Sequence, residues 1–123
     1  MQINLSDREA ELMDVLWERG PSTVAEVRDE LEDDLAYTTV LTMLRNLEAK
    51  GYVRHETEGR AHRYVPLIAR EAARRSALQH LASKLFKGSP ALLLAHMVSD
   101  GKLTDAEVRR IRELLAEHRR RKS

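Results

Sequence analysis

A chain of 123 residues, 42% apolar and 33% charged with five glycines and three prolines, has the length of one domain, or of a small module with an extension, and the make-up of a folded, helix-rich protein rather than a disordered one. The absence of cysteine excludes a disulfide framework, a thiolate nucleophile and any Cys-based zinc or copper site, and it fits a reducing cytoplasm. A net charge of +1 conceals an uneven layout: residues 1–36 carry 11 acidic and 3 basic side chains (net −8), residues 37–87 carry 4 and 10 (net +6), and residues 88–123 carry 5 and 8 (net +3), which suggests one face presented to a polyanion.

The stretch from Met1 to Leu5 starts no signal peptide, since no basic start leads into an apolar run. Ser6-Asp7-Arg8-Glu9 reads as a capping box, with the Ser6 hydroxyl and the Glu9 carboxylate satisfying each other's backbone N–H groups, so a helix begins there. Leu12, Met13, Leu16 and Trp17 give it a wide apolar face, Trp17 being a core anchor, and Gly20-Pro21 ends it. Ser22 or Thr23 opens a short second helix in which Val24, Val27 and Leu31 share a side. After the polar break Glu32-Asp33-Asp34, a third helix runs from about Tyr37 to Lys50 and stops at Gly51.

The period then changes to two. Tyr52 to Glu58 forms a strand, Gly59-Arg60-Ala61 a turn, and His62 to Val65 a returning strand closed by Pro66. A helix from about Arg70 to Phe86 ends at Gly88, and Ser89 as N-cap with Pro90 behind it starts another that reaches about Val98. The apolar run from Ala91 to Val98 is interrupted by His96 and falls well short of the roughly 20 residues that a bilayer requires, so no membrane insertion is expected. A second capping box, Thr104-Asp105-Ala106-Glu107, opens the last helix, whose Val108, Ile111 and Leu115, with His118 next in phase, step like an interhelical seam.

On a helical wheel, Val40, Met43, Leu44 and Leu47 of the third helix fall together, with Thr38, Thr42, Arg45 and Ala49 opposite and Thr39, Leu41 and Asn46 at the flanks. A face of small hydroxyls, one Arg and one Asn suits the major groove: threonine bonds a base edge or phosphate, Arg grips guanine, Asn grips adenine. An ordinary solvent-facing helix side would look similar. The order along the chain favours the functional reading, for three helices are followed by a hairpin with Arg60 at its tip and Arg54 and Arg63 adding charge nearby. That is the layout of a winged helix-turn-helix, whose wing meets the phosphate backbone or the minor groove beside the recognition helix.

The stretches Asp34 to Leu44, Lys50-Gly51-Tyr52-Val53 and Gly59 to Tyr64, with Leu5 to Met13 and Leu16-Trp17, closely resemble the penicillinase-repressor family of BlaI and MecI type, to which the copper repressor CopY is related. The likeness runs over essentially the whole chain and is strongest over residues 5–66. It implies a mainly α fold with a small β-hairpin wing: a winged helix over 1–67 joined to a helical dimerisation region over 68–123. It further implies a cytoplasmic bacterial repressor, associated with the nucleoid when bound, that holds a dyad-symmetric operator in double-stranded DNA as a homodimer and controls a resistance operon of β-lactam type or a stress operon. Family recognition contacts fall on Thr38, Thr39, Thr42 and Arg45 here; some relatives have a Lys where this chain has Thr38. Protease-driven cleavage in the family maps near Ala95, His96 and Met97, where the familiar Asn-Phe pair is absent. A regulatory protease or another inducer signal would then end repression.

One winged-helix module covers only roughly 600 to 1,000 Å² on DNA, so two modules are usually paired on half-sites. The seam Val108, Ile111 and Leu115 with the run Leu92-Leu93-Leu94 is more apolar than short helices need for their own burial and predicts a core shared between protomers. His55, His62, His80, His96 and His118 show no i, i+4 pair and are read as surface or hairpin histidines; no metal and no cofactor is expected, and copper sensing through a Cys-rich hook is excluded. Arg119-Arg120-Arg121-Lys122 reads as a solvated end rather than an added DNA contact. There is no Gly-rich phosphate loop, nucleophile elbow or ligand cluster, so an enzyme is not expected. The alternative is a winged helix serving as a protein-interaction adaptor without DNA, which would tolerate acids on the third-helix face and whose binding would not weaken steeply with salt.

Overall fold

The computed structural model describes residues 2–122, which divide into two compact units that meet between residues 78 and 79. In the first unit, α1 (Asp7–Arg19), a two-residue strand β1 (Ser22–Thr23), α2 (Val24–Glu30) and α3 (Tyr37–Ala49) lead into the hairpin β2 (Val53–Glu58) and β3 (Ala61–Pro66). Helix α4 (Arg70–Leu85) begins in the first unit, and its last residues belong to the second, with α5 (Pro90–Ser99) and α6 (Asp105–Lys122).

The first helix starts as its sequence predicts: Ser6 Oγ accepts from the Glu9 N–H at 3.2 Å, and Glu9 Oε1 accepts from the Ser6 N–H at 2.9 Å. A second box, Thr23 with Glu26, opens α2 and settles which of Ser22 and Thr23 is the N-cap. Ser22 instead belongs to a strand that the sequence does not announce. Its partner is Tyr64, as Thr23's is Arg63, so the sheet runs β1-β3-β2 and the hairpin is its larger part. The turn is also tighter than expected, because Glu58 pairs with Ala61 and leaves only Gly59-Arg60 as the loop. Gly59 takes φ 62°, a left-handed value suited to the first position of a two-residue hairpin turn.

Helix α3 ends in a Schellman closure. The Tyr52 N–H donates to Leu47 O at 3.0 Å and the Gly51 N–H to Glu48 O at 2.9 Å, with Gly51 at φ 83°. Tyr52 and Leu47, the apolar pair of that motif, both enter the core.

The core collects Leu12, Met13 and Leu16 of α1, Val24 and Val27 of α2, Val40, Leu44 and Leu47 of α3, and Val53 and Tyr64 of the sheet. Ile3, Ile68 and Ala73 close it, so the first unit takes in the start of α4 beyond the residue-67 boundary read from the sequence. Two side-chain ties hold these edges. Ser76 Oγ accepts from the Ile3 N–H at 2.8 Å and donates to Ile3 O at 3.2 Å, while Trp17 Nε1 donates to Ile68 O at 2.9 Å. Trp17 is thus a half-buried strap rather than a central core residue, with the Arg70 guanidinium 5.5 Å from its ring. Glu9 is buried; burial pushes its carboxyl up, but hydrogen bonds from Lys50 Nζ at 2.8 and 3.0 Å and from the Ser6 N–H more than reverse this, and its pKa lies below the usual value.

The second unit is helical. Ser89 caps α5, with its Oγ accepting from the Leu92 N–H at 3.1 Å, and the Thr104–Glu107 box opens α6. Ala82 is buried and the Phe86 ring meets His96 edge-on at 5.5 Å, but neither α5 nor α6 buries any residue fully. Leu81, Leu85, Leu92, Leu94, Met97, Val98, Leu114 and Leu115 all lie exposed. Among the described residues no helix is long and apolar enough to cross a membrane.

Glu26 gives the first unit an acid-sensitive joint. The Thr23 N–H, then the Arg19 guanidinium, hold its carboxyl down at about 2, against an ordinary value of 4.5. A depressed folded-state pKa adds stability that is present above the unfolded value and is lost as pH falls through the folded one. Between about pH 4.5 and pH 2, Glu26→Gln is therefore expected to flatten the loss of stability seen in urea melts of the parent; an unchanged acid limb would show that Glu26 is not the group titrating there.

Candidate nucleic-acid interface

Burial of Val40, Leu44 and Leu47 at zero exposure sets the roll of α3. With a 100° step per residue, this leaves Thr38, Thr39, Thr42, Arg45 and Asn46 all exposed, as the wheel predicts, while Leu41 and Met43 are half-buried at the margins. The Thr42 hydroxyl donates to Thr38 O at 2.9 Å, so its lone pairs and methyl group are what it offers outward. Arg45 stands near enough to Tyr64 on the sheet to act on its phenol. Burial raises the Tyr64 phenol pKa and the Glu48 carboxylate adds to the rise, with Arg45 drawing it partly back.

The start of α3 differs from those of α1, α2, α5 and α6. Ala36 occupies its N-cap without a side-chain oxygen, and no acidic residue stands in the first turn, so the leading N–H groups face outward with the positive end of the helix dipole. Serine or threonine caps α1, α2, α5 and α6. Tyr37, 46% exposed, stands at this same end.

The three hairpin arginines separate in the structure. Arg60 stands at the tip, exposed, and forms no ion pair among the described residues. Arg54 is exposed but pairs with Glu56 at 2.7 Å. Arg63 is turned back onto the domain: its guanidinium lies 2.8 Å from Glu58 and 3.2 Å from Glu26, and donates to Pro21 O at 3.0 Å, which raises its pKa, the Glu58 hydrogen bond first. The β1–β3 register places it there, opposite Thr23, and a two-residue strand leaves no sequence period from which to foresee it.

Two other groups escape the sequence reading because they meet across the fold. Glu48 near the end of α3 holds His55 on β2, and the His55 ring stacks on His62 of β3. Both histidines are legible only as hairpin residues until the strand register is known. Among the described residues no three His, Asp or Glu side chains converge as metal ligands. The dimerisation residues also divide: Leu93, Val108 and Ile111 are half-buried, whereas Leu92, Leu94 and Leu115 are open. Ala95, His96 and Met97 lie exposed on α5.

A helix rolled so that hydroxyl, amide and guanidinium groups face outward, beside a hairpin with an unpaired Arg60 at its tip, is the working surface of a winged-helix DNA-binding protein. The chain belongs to the penicillinase repressor family, whose profile matches residues 5–117, and it is a DNA-binding transcriptional repressor. It is 38% identical over 117 residues to the transcriptional regulator BlaI of Mycobacterium tuberculosis, covering 92% of this chain and 83% of that protein. To the penicillinase repressor of Bacillus licheniformis it is 28% identical over 120 residues, covering 96% and 94%. Among solved structures, the monomeric form of Bacillus licheniformis BlaI in complex with the blaP half-operator superposes with a TM-score of 0.50 at 34% identity, over 58% of this chain and 89% of that one.

The arrangement separates a structural arginine from an outward one. Arg63→Ala is expected to lower the thermal midpoint measured by circular dichroism, since Glu58 loses its partner and Glu26 loses one of its two arginines, whereas Arg60→Ala leaves the midpoint unchanged. Equal midpoints for both variants would remove the distinction.

Proposed function

We propose that this protein represses transcription as a homodimer on a dyad-symmetric operator, inserting α3 of each copy into a major groove. Thr38, Thr39, Thr42, Arg45 and Asn46 read base edges and adjoining phosphates, and the uncapped N-terminus of α3 adds backbone N–H donors toward phosphate. Arg60 and Arg54 carry the wing's contact with the backbone, while Arg63 braces the wing from behind. The observation that carries the reading is the roll of α3: Val40, Leu44 and Leu47 are buried while Thr38, Thr39, Thr42, Arg45 and Asn46 are exposed, next to the wing.

The second unit supports pairing of two copies. A cluster of exposed leucines with Met97 and Val98 on short helices is more apolar surface than a lone soluble unit usually leaves open, and a second copy is the partner that gives two half-site readers a fixed spacing. Leu92, Leu94 and Leu115 are placed at that contact, with Leu93, Val108 and Ile111 beneath them. The regulated genes belong to a resistance or stress operon. Repression ends by cleavage in α5 near Ala95, His96 and Met97, which a protease must first unwind, or through another inducer signal.

Selection of duplexes from a random pool by the purified protein is expected to yield an inverted repeat with half-sites one or more helical turns apart. Thr42→Ala and Arg45→Ala should each relax preference at one position, at about 1 to 3 kcal/mol, and Arg60→Ala should weaken all duplexes alike and lower the salt slope by about one. Recovery of random sequence by parent and variants alike would sink the assignment of α3. In sedimentation at micromolar concentration the protein should run as a dimer, and Leu94→Glu or Leu115→Glu as a monomer; a monomeric parent would remove the pairing.

A further inference from the structure

The hairpin carries a titratable cluster that the base-reading face of α3 leaves unused. His55 lies opposite Tyr64, and His62 opposite Thr57, so both rings stand on the sheet face that includes the buried Val53 and Tyr64. As diagonal neighbours on one face they stack, with centroids 4.4 Å apart and planes 16° from parallel. On its other side, His55 Nδ1 lies 2.7 and 2.9 Å from the two Glu48 oxygens, and the His55 backbone N–H donates to the same carboxylate at 3.0 Å.

The charged and titratable groups facing the pair can be named. From α3 these are Glu48 and, across Tyr64, Arg45 and Tyr37; from β3 it is Tyr64 itself, 5.9 Å from the His55 ring. Arg54, Glu56, Glu58 and Arg63 belong to the opposite face of the hairpin. One negative charge therefore stands beside two imidazoles. Two imidazolium rings at stacking distance repel each other, and Glu48 can compensate only one of them.

Position supplies the second compensation. Tyr64, His55 and His62 form a continuous series of ring contacts that ends two residues from Arg60 at the wing tip. His62 is exposed along that path. We infer that the stacked His55–His62 pair is a further backbone-phosphate contact of the wing, one that takes up a proton as DNA binds. The inference rests on the DNA-binding reading above and extends it to residues outside the base-reading helix. A phosphate beside His62 supplies the charge that Glu48 cannot, so the complex binds more protons than the free protein. By linkage, binding then strengthens as pH falls and loses the added strength as pH rises through the titration of the bound pair.

Fluorescence anisotropy at constant ionic strength, with the duplex selected from the random pool and with a scrambled duplex, tests this. For one linked proton the dissociation constant should fall by up to about tenfold per pH unit below roughly neutral pH, in parallel on both duplexes because a phosphate contact carries no sequence information. His62→Gln should match the parent at about pH 8 and lose the slope, and His62→Arg should keep the low-pH affinity at every pH, with the fold of both checked by circular dichroism. A flat profile for the parent, or an undiminished slope in His62→Gln, overturns the inference and leaves the DNA-binding reading standing. Absence of binding to any duplex at any pH removes that reading and this one with it.

Discussion

Nearly everything this protein presents to DNA depends on the seating of one helix face. Val40, Leu44 and Leu47 are each fully covered, and burial of side chains of this size contributes roughly 1.5 to 3 kcal/mol apiece, well above the few tenths that helix propensity assigns to any one residue. Rolling α3 by one residue would expose part of that set and press the Arg45 guanidinium into an apolar interior, where an unpaired charge is strongly disfavoured. The inner aliphatic row thus determines the direction of the outer polar row, and Thr38, Thr42 and Arg45 inherit their orientation from residues on the buried side.

The same seating propagates to the wing. The Schellman closure at Gly51 turns the chain directly from α3 into β2 and drives Tyr52 into the core beside Leu47, so hairpin and helix cannot shift independently. Glu48 adds a polar tie to His55. On the far side, Glu26 gathers the Thr23 N–H, Arg19 and Arg63, which joins α1, α2 and the sheet at one carboxylate. Some charges of this domain thus hold the wing in place, while others are left outward at its tip and along α3.

Polarity of charge along the chain takes on a spatial meaning in this frame. The acidic N-terminal segment supplies α1 and α2, where Arg8, Arg19 and Arg70 are engaged by Glu11, Asp33, Glu26, Asp14 and Glu18. On α3 and the hairpin, Arg45 and Arg60 are outward basic groups. In the second unit the balance is different: caps and capping boxes define the helix ends well, yet the apolar side chains of α5 and α6 find only partial cover within the unit. Local signals there are complete, and packing within the unit is not.

Sequence alone determined whatever short range decides. The Ser6–Glu9 and Thr104–Glu107 boxes, the Ser89-Pro90 start, the Gly20, Gly51 and Gly59 breaks and the inner row of α3 are all set within a few residues, and each appears where its pattern places it. So did the likeness to the penicillinase repressors, carried by side chains whose spacing is itself local. Tertiary structure decided the rest. Strand β1 is two residues long and has no period to read; its pairing with β3 turns Arg63 from an expected outward charge into a brace on Glu26. The His55–His62 stack and its tie to Glu48 exist only through strand register and the docking of the hairpin on α3, long-range facts in which a one-residue slip would send each ring to the opposite face.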